Sequence, residues 1–449
     1  MQRDLTQGPI GPTLLRFALP MTAGNLLQQL YNVVDTWVVG YFLGQNALAA
    51  VGSAYALMVF LTSIVLGLCM GSGVKFSLCR GQGDEGGLRH SMVLSFGLIG
   101  LVTLLLNAAL LLGLDGILKL LQVPPEVYGL MRQYLWVIAW GLAATFLYNF
   151  FAALLRAVGD SVTPLVFLGV SAGLNIALDL AFVLGFGWGV AGAAAATVLA
   201  QYAAGIGICA YTLLRRPEFR PRRRDFHWEK ATLRQIMQLS FLTCLQQSVM
   251  NFGILLVQGR VNSFGATVMA AFAAAVKIDS FAYMPVQDFG NAFSTFVAQN
   301  HGAGKPQRVR RGVRSAVKTV FWFCLVLSGA VCLFARPLMG LFVSKAQPQL
   351  LDIGAQYLHI VGACYFFIGL LFLLYGFYRA VGRPGMSLVL TVISLGVRVA
   401  LAYSLSAVPA IGVVGIWAAV PIGWVLADAV GAGYYFRRYR RGLAAENEP

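Results

Sequence analysis

Twelve apolar runs follow one another along the chain, and they constrain its fold more than any other feature. Each is long enough for a transmembrane helix, which takes about 20 residues. Only 11% of the 449 residues are charged, against about a quarter in soluble proteins. We therefore predict an all-α integral membrane protein with twelve transmembrane helices, and exclude a soluble enzyme, a disordered chain and a disulfide-stapled secreted module. The runs begin near Leu14, Ala47, Ser91, Tyr128, Val162, Val190, Leu233, Ala266, Val313, Ile353, Met386 and Gly412.

Short motifs recur between the two halves at nearly one offset, which indicates duplication of a six-helix unit. The predicted organisation is an N-lobe (1–214, helices 1–6), a cytoplasmic linker (215–231), a C-lobe (232–436, helices 7–12) and a cytoplasmic tail (437–449). Six is an even number, so both lobes insert the same way and form a parallel repeat with a cleft that suits alternating access. The recurring motifs are Leu155–Gly159 with Tyr378–Gly382, Gly189–Gly192 with Gly412–Gly415, and Gly81–Gly83 with Gly302–Gly304.

The net charge of +16 would suggest nucleic acid as the partner of a soluble protein. Here the basic residues lie between apolar runs, so they indicate topology, and no nucleic acid is predicted. With the N-terminus inside, 26 of the 33 Lys and Arg residues are cytoplasmic, which predicts a multi-pass plasma-membrane protein with both termini in the cytoplasm. The Arg-rich linker is either a plain positive-inside anchor or a site for anionic lipid headgroups. The external basic residues would be Lys119, Arg132, Arg260, Arg336 and Lys345.

No catalytic, cofactor or metal site is predicted. The seven cysteines show no C-x-x-C spacing, the four histidines (His90, His227, His301 and His359) are scattered, and there is no P-loop or nucleophile elbow. Gly81–Gly86 fits G-x-G-x-x-G, but it lies between membrane helices and is interpreted as a tight cytoplasmic turn. The small-residue pairs Gly67/Gly71 and Gly169/Gly173 predict close helix packing.

Five acids fall within the predicted spans, and these are the informative residues. A charge at mid-membrane costs about 2.5–3.5 kcal/mol even on the mildest scale. Each such acid must therefore face a cavity, be paired or be protonated. Because burial favours the protonated carboxyl group, each is a candidate proton carrier. The five are Asp35, Asp179, Asp279, Asp288 and Asp428.

Asp35 is the first candidate because it ends a polar stripe of Gln28, Gln29 and Asn32 on one face of helix 1. Pro20 removes a backbone hydrogen bond earlier in that helix and can act as its hinge. The alternative is that the stripe only packs against other helices.

Asp179 forms an i,i+4 pair with Asn175 on helix 5, which suits a proton or a sodium ion; the alternative is a structural hydrogen bond. In the second half, Lys277 is expected to neutralise Asp279 or Asp288, with substrate or ion binding as the alternative. Asp428 and Arg398 are interpreted as structural, and Gln246 and Asn251 as candidates to line the cleft.

The chain resembles the multidrug and toxic compound extrusion (MATE) transporters along nearly its whole length. No single motif is specific, but together and in order within a duplicated twelve-helix plan they are. The motifs are Ala18–Pro20, Val34–Gly40, Leu154–Asp160, Leu174–Asp179 and Gln299–Gly304.

The resemblance implies export of organic cations and amphipathic drugs in exchange for a proton, or for sodium, with no cofactor. It implies that Asp35 is the titrating group of the N-lobe and that Pro20 lets helix 1 bend. The NorM branch has acids on helices 7 and 10, whereas helix 7 here has none and helix 10 has only Asp352 at its outer end. The coupling site is therefore expected in the N-lobe. Its other members are implied to be Asn175, Asp179, Thr197 and Tyr134, with Asn149 as a further candidate.

A flippase for lipid-linked saccharides shares the plan of this superfamily and is the main alternative. It would favour a cavity rich in Arg and Lys for pyrophosphate, but only Lys277 and Arg398 lie deep in the spans. The expected partners are small-molecule substrates and membrane lipid. A complete two-lobe repeat needs no second copy, so a monomer is expected.

Overall fold

The computed structural model describes residues 4–121, 123–342 and 348–440, and this part of the chain contains helices and no strands. Arg3, Lys345, Arg441 and the tail from 441 onward lie outside the described residues. The first half contains α1 (Ile10–Leu43), α2 (Gln45–Gln82), α3 (Glu85–Leu120), α4 (Pro125–Ala139), α5 (Gly141–Ala157), α6 (Val162–Asp179) and α7 (Gly189–Arg215). The second half contains α8 (Lys230–Asn262), α9 (Ala266–Gly302), α10 (Pro306–Leu333), α11 (Ala335–Met339), α12 (Pro348–Gly362), α13 (Tyr365–Ala380), α14 (Pro384–Ser406) and α15 (Val413–Tyr435).

The helices account for the predicted membrane spans. Within the described residues, 9 helices are long and apolar enough to cross a bilayer, and counting each bent pair as one span gives up to 11. The 34-residue α1 is outside that count, although its length of about 50 Å exceeds the bilayer core. Its polar stripe and Arg16 lower its hydropathy, which explains why it is not counted. When α1 is added to the 11 spans, each of the twelve apolar runs corresponds to a helical span. The all-α membrane fold is confirmed.

Two spans are bent at equivalent positions of the two halves. The axis turns by 41° between α4 and α5 and by 52° between α12 and α13. The breaks, at Trp140 and at Ala363–Cys364, are related by the offset of 223 residues that relates the recurring motifs. At each break one backbone N–H donates to the carbonyl oxygen three residues earlier, from Trp140 to Val137 over 3.2 Å and from Cys364 to Val361 over 3.0 Å, which is the tighter pattern of a 3₁₀ turn.

Turns of the two halves also correspond. Eight glycines with positive φ form four pairs at an offset of 221 or 223, and three of the pairs lie in the recurring motifs. Gly83 ends α2 in the left-handed conformation, so the expected tight turn at Gly81–Gly86 is confirmed. The pairs are Gly44 with Gly265, Gly83 with Gly304, Gly159 with Gly382, and Gly189 with Gly412.

The chain divides into two compact units, and two helices contribute to both. Unit 1 consists of residues 1–4 and 19–244, and unit 2 of residues 5–18 and 245–449. The start of α1 thus belongs to unit 2, and the start of α8 to unit 1. In unit 2, the buried Asn300 side chain donates to the carbonyl oxygen of Leu5 (3.1 Å), and Arg308 donates to that of Gln7 (2.6 Å).

Small residues of α2 allow very close packing with the start of α8 in unit 1. A Cβ added at Gly67 would lie 2.5 Å from the Cα of Cys244, and one at Gly71 would lie 2.4 Å from the Cα of Ser240. The hydroxyl groups of Ser72 and Ser240 are 2.9 Å apart in a buried hydrogen bond. Close packing at this pair of glycines is therefore confirmed.

The second small-residue pair does not pack in that way. A Cβ at Gly169 would meet only the Leu27 side chain at an ordinary 3.7 Å, and one at Gly173 would meet nothing within 4 Å. The packing prediction for this pair was wrong, because spacing alone cannot say which face of α6 meets a neighbour.

The segment between α7 and α8 is ordered by contacts within unit 1. Arg216 forms an ion pair of 3.0 Å with the fully buried Asp160, next to the start of α6. Phe219 is buried, and the Asp225 side chain accepts from the backbone N–H of Arg222 (2.7 Å). Many Arg residues of this segment therefore extend from a fixed backbone.

Candidate ion-coupling and substrate site

Two carboxyl groups meet inside unit 1. Asp35 lies on α1 and Asp179 is the last residue of α6, and their carboxyl groups are within side-chain hydrogen-bonding reach of each other. Asp179 is fully buried, and neither of its oxygens, nor Oδ1 of Asp35, has a donor in good geometry among the described residues. Ionised carboxylates only accept hydrogen bonds. The pair must therefore hold a proton or a cation between its oxygens.

Polar groups from two further helices surround this acid pair. Asn175, one turn before Asp179, donates its Nδ2 to Oγ1 of Thr197 on α7 over 3.3 Å. That bond leaves Oδ1 of Asn175 buried without a partner in the described part of the chain. Tyr134 on α4 is buried close enough to interact electrostatically with both acids. The structure thus brings the five residues assigned by resemblance into one cluster.

The backbone changes conformation directly after Asp179. The α-helix ends there and continues as a π-helical turn over Leu180–Gly185. Such turns are rare and occur often at functional sites. Broken helix ends within a membrane also supply carbonyl oxygens that can coordinate a coupling ion. Sequence reasoning did not predict this turn.

The polar stripe of α1 is partly satisfied along the helix itself. Asn32 donates its Nδ2 to Oε1 of Gln29 over 3.3 Å, and Gln28 lies near the hydroxyl of Tyr31. Helix α1 continues without interruption through Pro20. Because proline has no backbone N–H, the carbonyl of Arg16, four residues earlier, lacks its usual helical hydrogen bond. The helix is therefore easier to bend here, on the N-terminal side of Asp35.

A second buried acid cluster lies in unit 2, around Asp279 on α9. The hydroxyl of Tyr357 on α12 donates to Oδ2 of Asp279 over 3.1 Å, while Oδ1 has no partner among the residues described. Tyr365 and Arg398 lie close enough to interact electrostatically with this carboxylate. Phe272 stacks on Trp417 with ring centroids 5.3 Å apart, and Tyr357 meets both rings edge-on.

The two acid clusters use equivalent positions of the repeat. The offset of 223 pairs Tyr134 with Tyr357 and Asn175 with Arg398. Each unit therefore places a buried tyrosine on its fourth span and a polar residue on its fifth span beside a buried acid. Tyr357 and Arg398 were not predicted as partners of Asp279, although the repeat offset carried that signal.

Lys277 was expected to neutralise Asp279 or Asp288, and for Asp279 this was wrong. Lys277 lies two residues before Asp279 on α9, is exposed, and forms no ion pair with it in the described part of the chain. Residues two apart on a helix point to different sides, so the lysine cannot reach the carboxylate. Asp428 is also buried, and neither of its oxygens has a hydrogen-bond partner among the described residues.

The remaining cleft candidates lie outside both clusters. Asn149 donates its Nδ2 to the carbonyl of Thr145 on its own helix over 2.9 Å. Gln246 is buried with Oε1 unpartnered in the described structure, and Asn251 is half-buried one and a half turns further along α8. Asp288 is buried on α9.

Comparison with known proteins gives one consistent result. The sequence profile of the MatE family matches residues 20–181 and 240–404. The chain is 31% identical over 402 residues to the probable multidrug resistance protein YpnP of Bacillus subtilis, covering 88% of each sequence. It is 27% identical to the probable multidrug resistance protein NorM of Thermotoga maritima, covering 90% of this chain and 87% of that one. A crystal structure of MATE in complex with MaL6 matches with a TM-score of 0.90 and 25% identity over 98% of both chains.

Proposed function

Because the chain belongs to the multidrug and toxic compound extrusion family of membrane transporters, we propose that it exports organic cations and amphipathic drugs by proton antiport through alternating access. The observation that carries this proposal is the pair formed by the half-buried Asp35 and the fully buried Asp179, which has no other charge to balance it within the described cluster. Such a pair binds either protons or a cation. Competition between the two is the chemistry that antiport requires.

The exchange follows from the occupancy of that pair. In the outward-facing state, protons load one or both aspartates, and their neutralisation weakens the hold on a cationic substrate and on Asn175. Helix α1 then bends near Pro20 and narrows the cavity of the N-lobe, which releases the drug. Return to the inward-facing state discharges the protons to the cytoplasm. No residue acts as a chemical catalyst, since members of this family are transporters and not enzymes.

The energy supply is adequate for this cycle. Each pH unit provides about 1.4 kcal/mol per proton. A membrane potential of 100 mV would add about 2.3 kcal/mol per net charge moved. Exchange of one proton for one monovalent cation moves no net charge, so it would run on the pH gradient alone.

Sodium is the alternative coupling ion. The free Oδ1 of Asn175, the Thr197 hydroxyl and the carboxylate of Asp179 are oxygen ligands at the end of a broken helix. Hard cations select such ligands, and transporter sodium sites use broken helix ends in this way. In this alternative, sodium replaces the proton between the acids.

The alternative function, a flippase for lipid-linked saccharides, has less support than drug antiport. A pyrophosphate site needs clustered cationic side chains, but Lys277 is exposed and Arg398 lies beside the Asp279 carboxylate. We also propose that the chain lies in the plasma membrane with both termini in the cytoplasm, as the distribution of Lys and Arg indicates. We propose a monomer, because a complete two-lobe repeat needs no second copy.

The test is transport by the purified chain in liposomes that contain ethidium. We expect ethidium movement under an imposed pH gradient, and loss of that movement when a protonophore collapses the gradient. Ethidium movement under a sodium gradient alone would show that sodium, and not the proton, is the coupling ion. Absence of movement under both gradients, together with scrambling of a fluorescent lipid-linked saccharide, would contradict the proposal and support a flippase.

A further inference from the structure

A histidine near the start of α3 meets a histidine and a glutamate from the segment between α7 and α8, more than 130 residues later in the sequence. His90 lies on α3, and His227 and Glu229 lie just before α8, all in unit 1. The imidazole rings of His90 and His227 stack with centroids 3.8 Å apart. Nε2 of His90 lies 3.6 Å from Oε2 of Glu229. One ligand atom from each residue lies within 4.8 Å of the other two.

Each ring donates a hydrogen bond from Nδ1 and leaves its Nε2 available for a metal ion. Nδ1 of His90 is 2.9 Å from the carbonyl oxygen of Asp225, and Nδ1 of His227 is 2.9 Å from that of Arg224. A carbonyl oxygen only accepts, so Nδ1 of each ring is the donor and Nε2 is the nitrogen left to bind a metal ion. An N–H donated to a backbone carbonyl is the usual outer contact of a metal-binding histidine.

Apart from Glu229 at 3.6 Å, Nε2 of His90 has no polar partner in the described part of the chain. His90 is 5% exposed, and this nitrogen is buried without a hydrogen-bond partner among the described residues. A buried polar atom that is left unsatisfied destabilises the fold. A bound cation would remove that destabilisation.

The surroundings allow a cation in spite of the nearby arginines. The neighbouring Arg89 lies 3.4 Å from the carboxylate of Asp225 and 3.8 Å from that of Glu85, so its charge is balanced locally. The Glu229 carboxylate is held by the hydroxyl of Thr232, which donates to Oε2 over 2.6 Å. It therefore supplies a negatively charged ligand beside the two imidazole rings.

Two of the three ligands can adjust to a metal ion. His227 and Glu229 are exposed, whereas His90 is buried. Two nitrogens on one tetrahedral zinc ion are about 3.3 Å apart, given bond lengths near 2.05 Å. The stacked His227 ring must therefore tilt toward Nε2 of His90, and an exposed ring at the surface has room for that rotation.

We propose that His90, His227 and Glu229 bind one divalent transition-metal ion of the zinc type, with water as the fourth ligand. Two imidazoles and one carboxylate suit zinc and its neighbours in the first transition row, and not magnesium or calcium, which prefer oxygen ligands. The bound ion ties the Arg-rich segment between α7 and α8 to the start of α3.

The first test is metal titration of the full chain in detergent, purified with a histidine-free tag and stripped with EDTA. We expect one zinc ion per chain with a micromolar Kd, and visible absorption of tetrahedral geometry when cobalt replaces zinc. His227→Ala should weaken binding by at least roughly 100-fold, because changes outside the ligand shell already cost 10–100-fold. His301→Ala and His359→Ala are matched controls and should leave the Kd unchanged.

A second readout separates this site from adventitious binding by the seven free cysteines. Zinc should slow tryptic cleavage after Arg220–Arg224 in the native chain, and should not do so in His227→Ala or Glu229→Gln. Both substitutions change exposed residues, and size-exclusion chromatography checks that each variant stays monodisperse. Equal zinc affinity in the native chain and His227→Ala, or no micromolar binding in the native chain, would overturn the proposal and leave a stacked imidazole pair that packs the linker.

Discussion

Replacing Asp35 with asparagine is expected to reduce ethidium transport driven by a pH gradient to the level of protein-free liposomes. Asparagine has nearly the shape of the acid and can donate its amide to Asp179, so it imitates the protonated pair permanently. A loss of at least roughly tenfold corresponds to about 1.4 kcal/mol of coupling free energy. Asp179→Asn should have the same effect. The double variant should be no worse than either single one, because the two acids act as a unit.

The matched control is Asp115→Asn. Asp115 is an exposed acid near the end of α3 that forms an ion pair of 2.7 Å with Arg132, and an exposed ion pair contributes little. This variant should transport at the native rate. The unfolding temperature of Asp35→Asn should equal or exceed that of the native chain, because the substitution removes an acid from a crowded carboxyl pair. Retention of most of the native rate by Asp35→Asn would contradict the role given to the pair.

Replacing Pro20 with alanine is expected to slow transport while it stabilises the protein. Alanine supplies the backbone N–H that Pro20 lacks, so α1 gains a hydrogen bond to the Arg16 carbonyl worth about 1 kcal/mol. The straight helix is stabilised by that amount, and the bent state required for release is reached less often. We expect transport to slow by roughly five- to tenfold, in line with about 1 kcal/mol or slightly more. Initial ethidium rates and the unfolding temperature are measured on the same preparation.

Pro421→Ala provides the matched control for the proline prediction. Pro421 also lies inside a membrane helix, in α15, and is buried. No bending of α15 is part of the proposed cycle, so this variant should gain stability without losing transport. An equal loss of transport in both variants would show that any proline in a span matters, and native transport by Pro20→Ala would rule out the hinge.

The architecture was predictable because the bilayer imposes a length and a polarity on every span. Twelve apolar runs led to helices that begin at the expected places or up to seven residues away from them. The repeat was visible in Gly159 and Gly382, and these glycines proved to hold the same positive φ in equivalent turns. The bends at Trp140 and near Cys364 were not predicted, because a bent span has the same apolar composition as a straight one.

Part of the acid cluster around Asp35 and Asp179 was also predictable from the sequence. Asp35 and Asp179 were singled out by the free-energy cost of a charge within the membrane, and Asn175 by its helical spacing from Asp179. Thr197 and Tyr134 came only from the resemblance. Their meeting in one place depends on the packing of four helices, which periodicity alone does not give.

The missed contacts have a common cause. Lys277 was expected to neutralise Asp279 or Asp288 on its own helix, but the partners of Asp279 are Tyr357 and Arg398 from other helices. His90 and His227 were read as scattered for the same reason. Proximity along a helix is a poor guide to contact unless the spacing is three or four residues, and the repeat offset would have been the better guide to Tyr357.

The most direct measurement of the central claim is proton release on substrate binding. The purified chain in weakly buffered detergent solution is mixed with saturating ethidium, and a pH-sensitive dye reports the protons released at a series of pH values. If cation and protons compete for Asp35 and Asp179, the native chain releases up to about one proton per bound cation, and Asp35→Asn loses that release while Asp115→Asn keeps it. Ethidium binding without proton release at any pH, or release that persists in Asp35→Asn, would contradict the account.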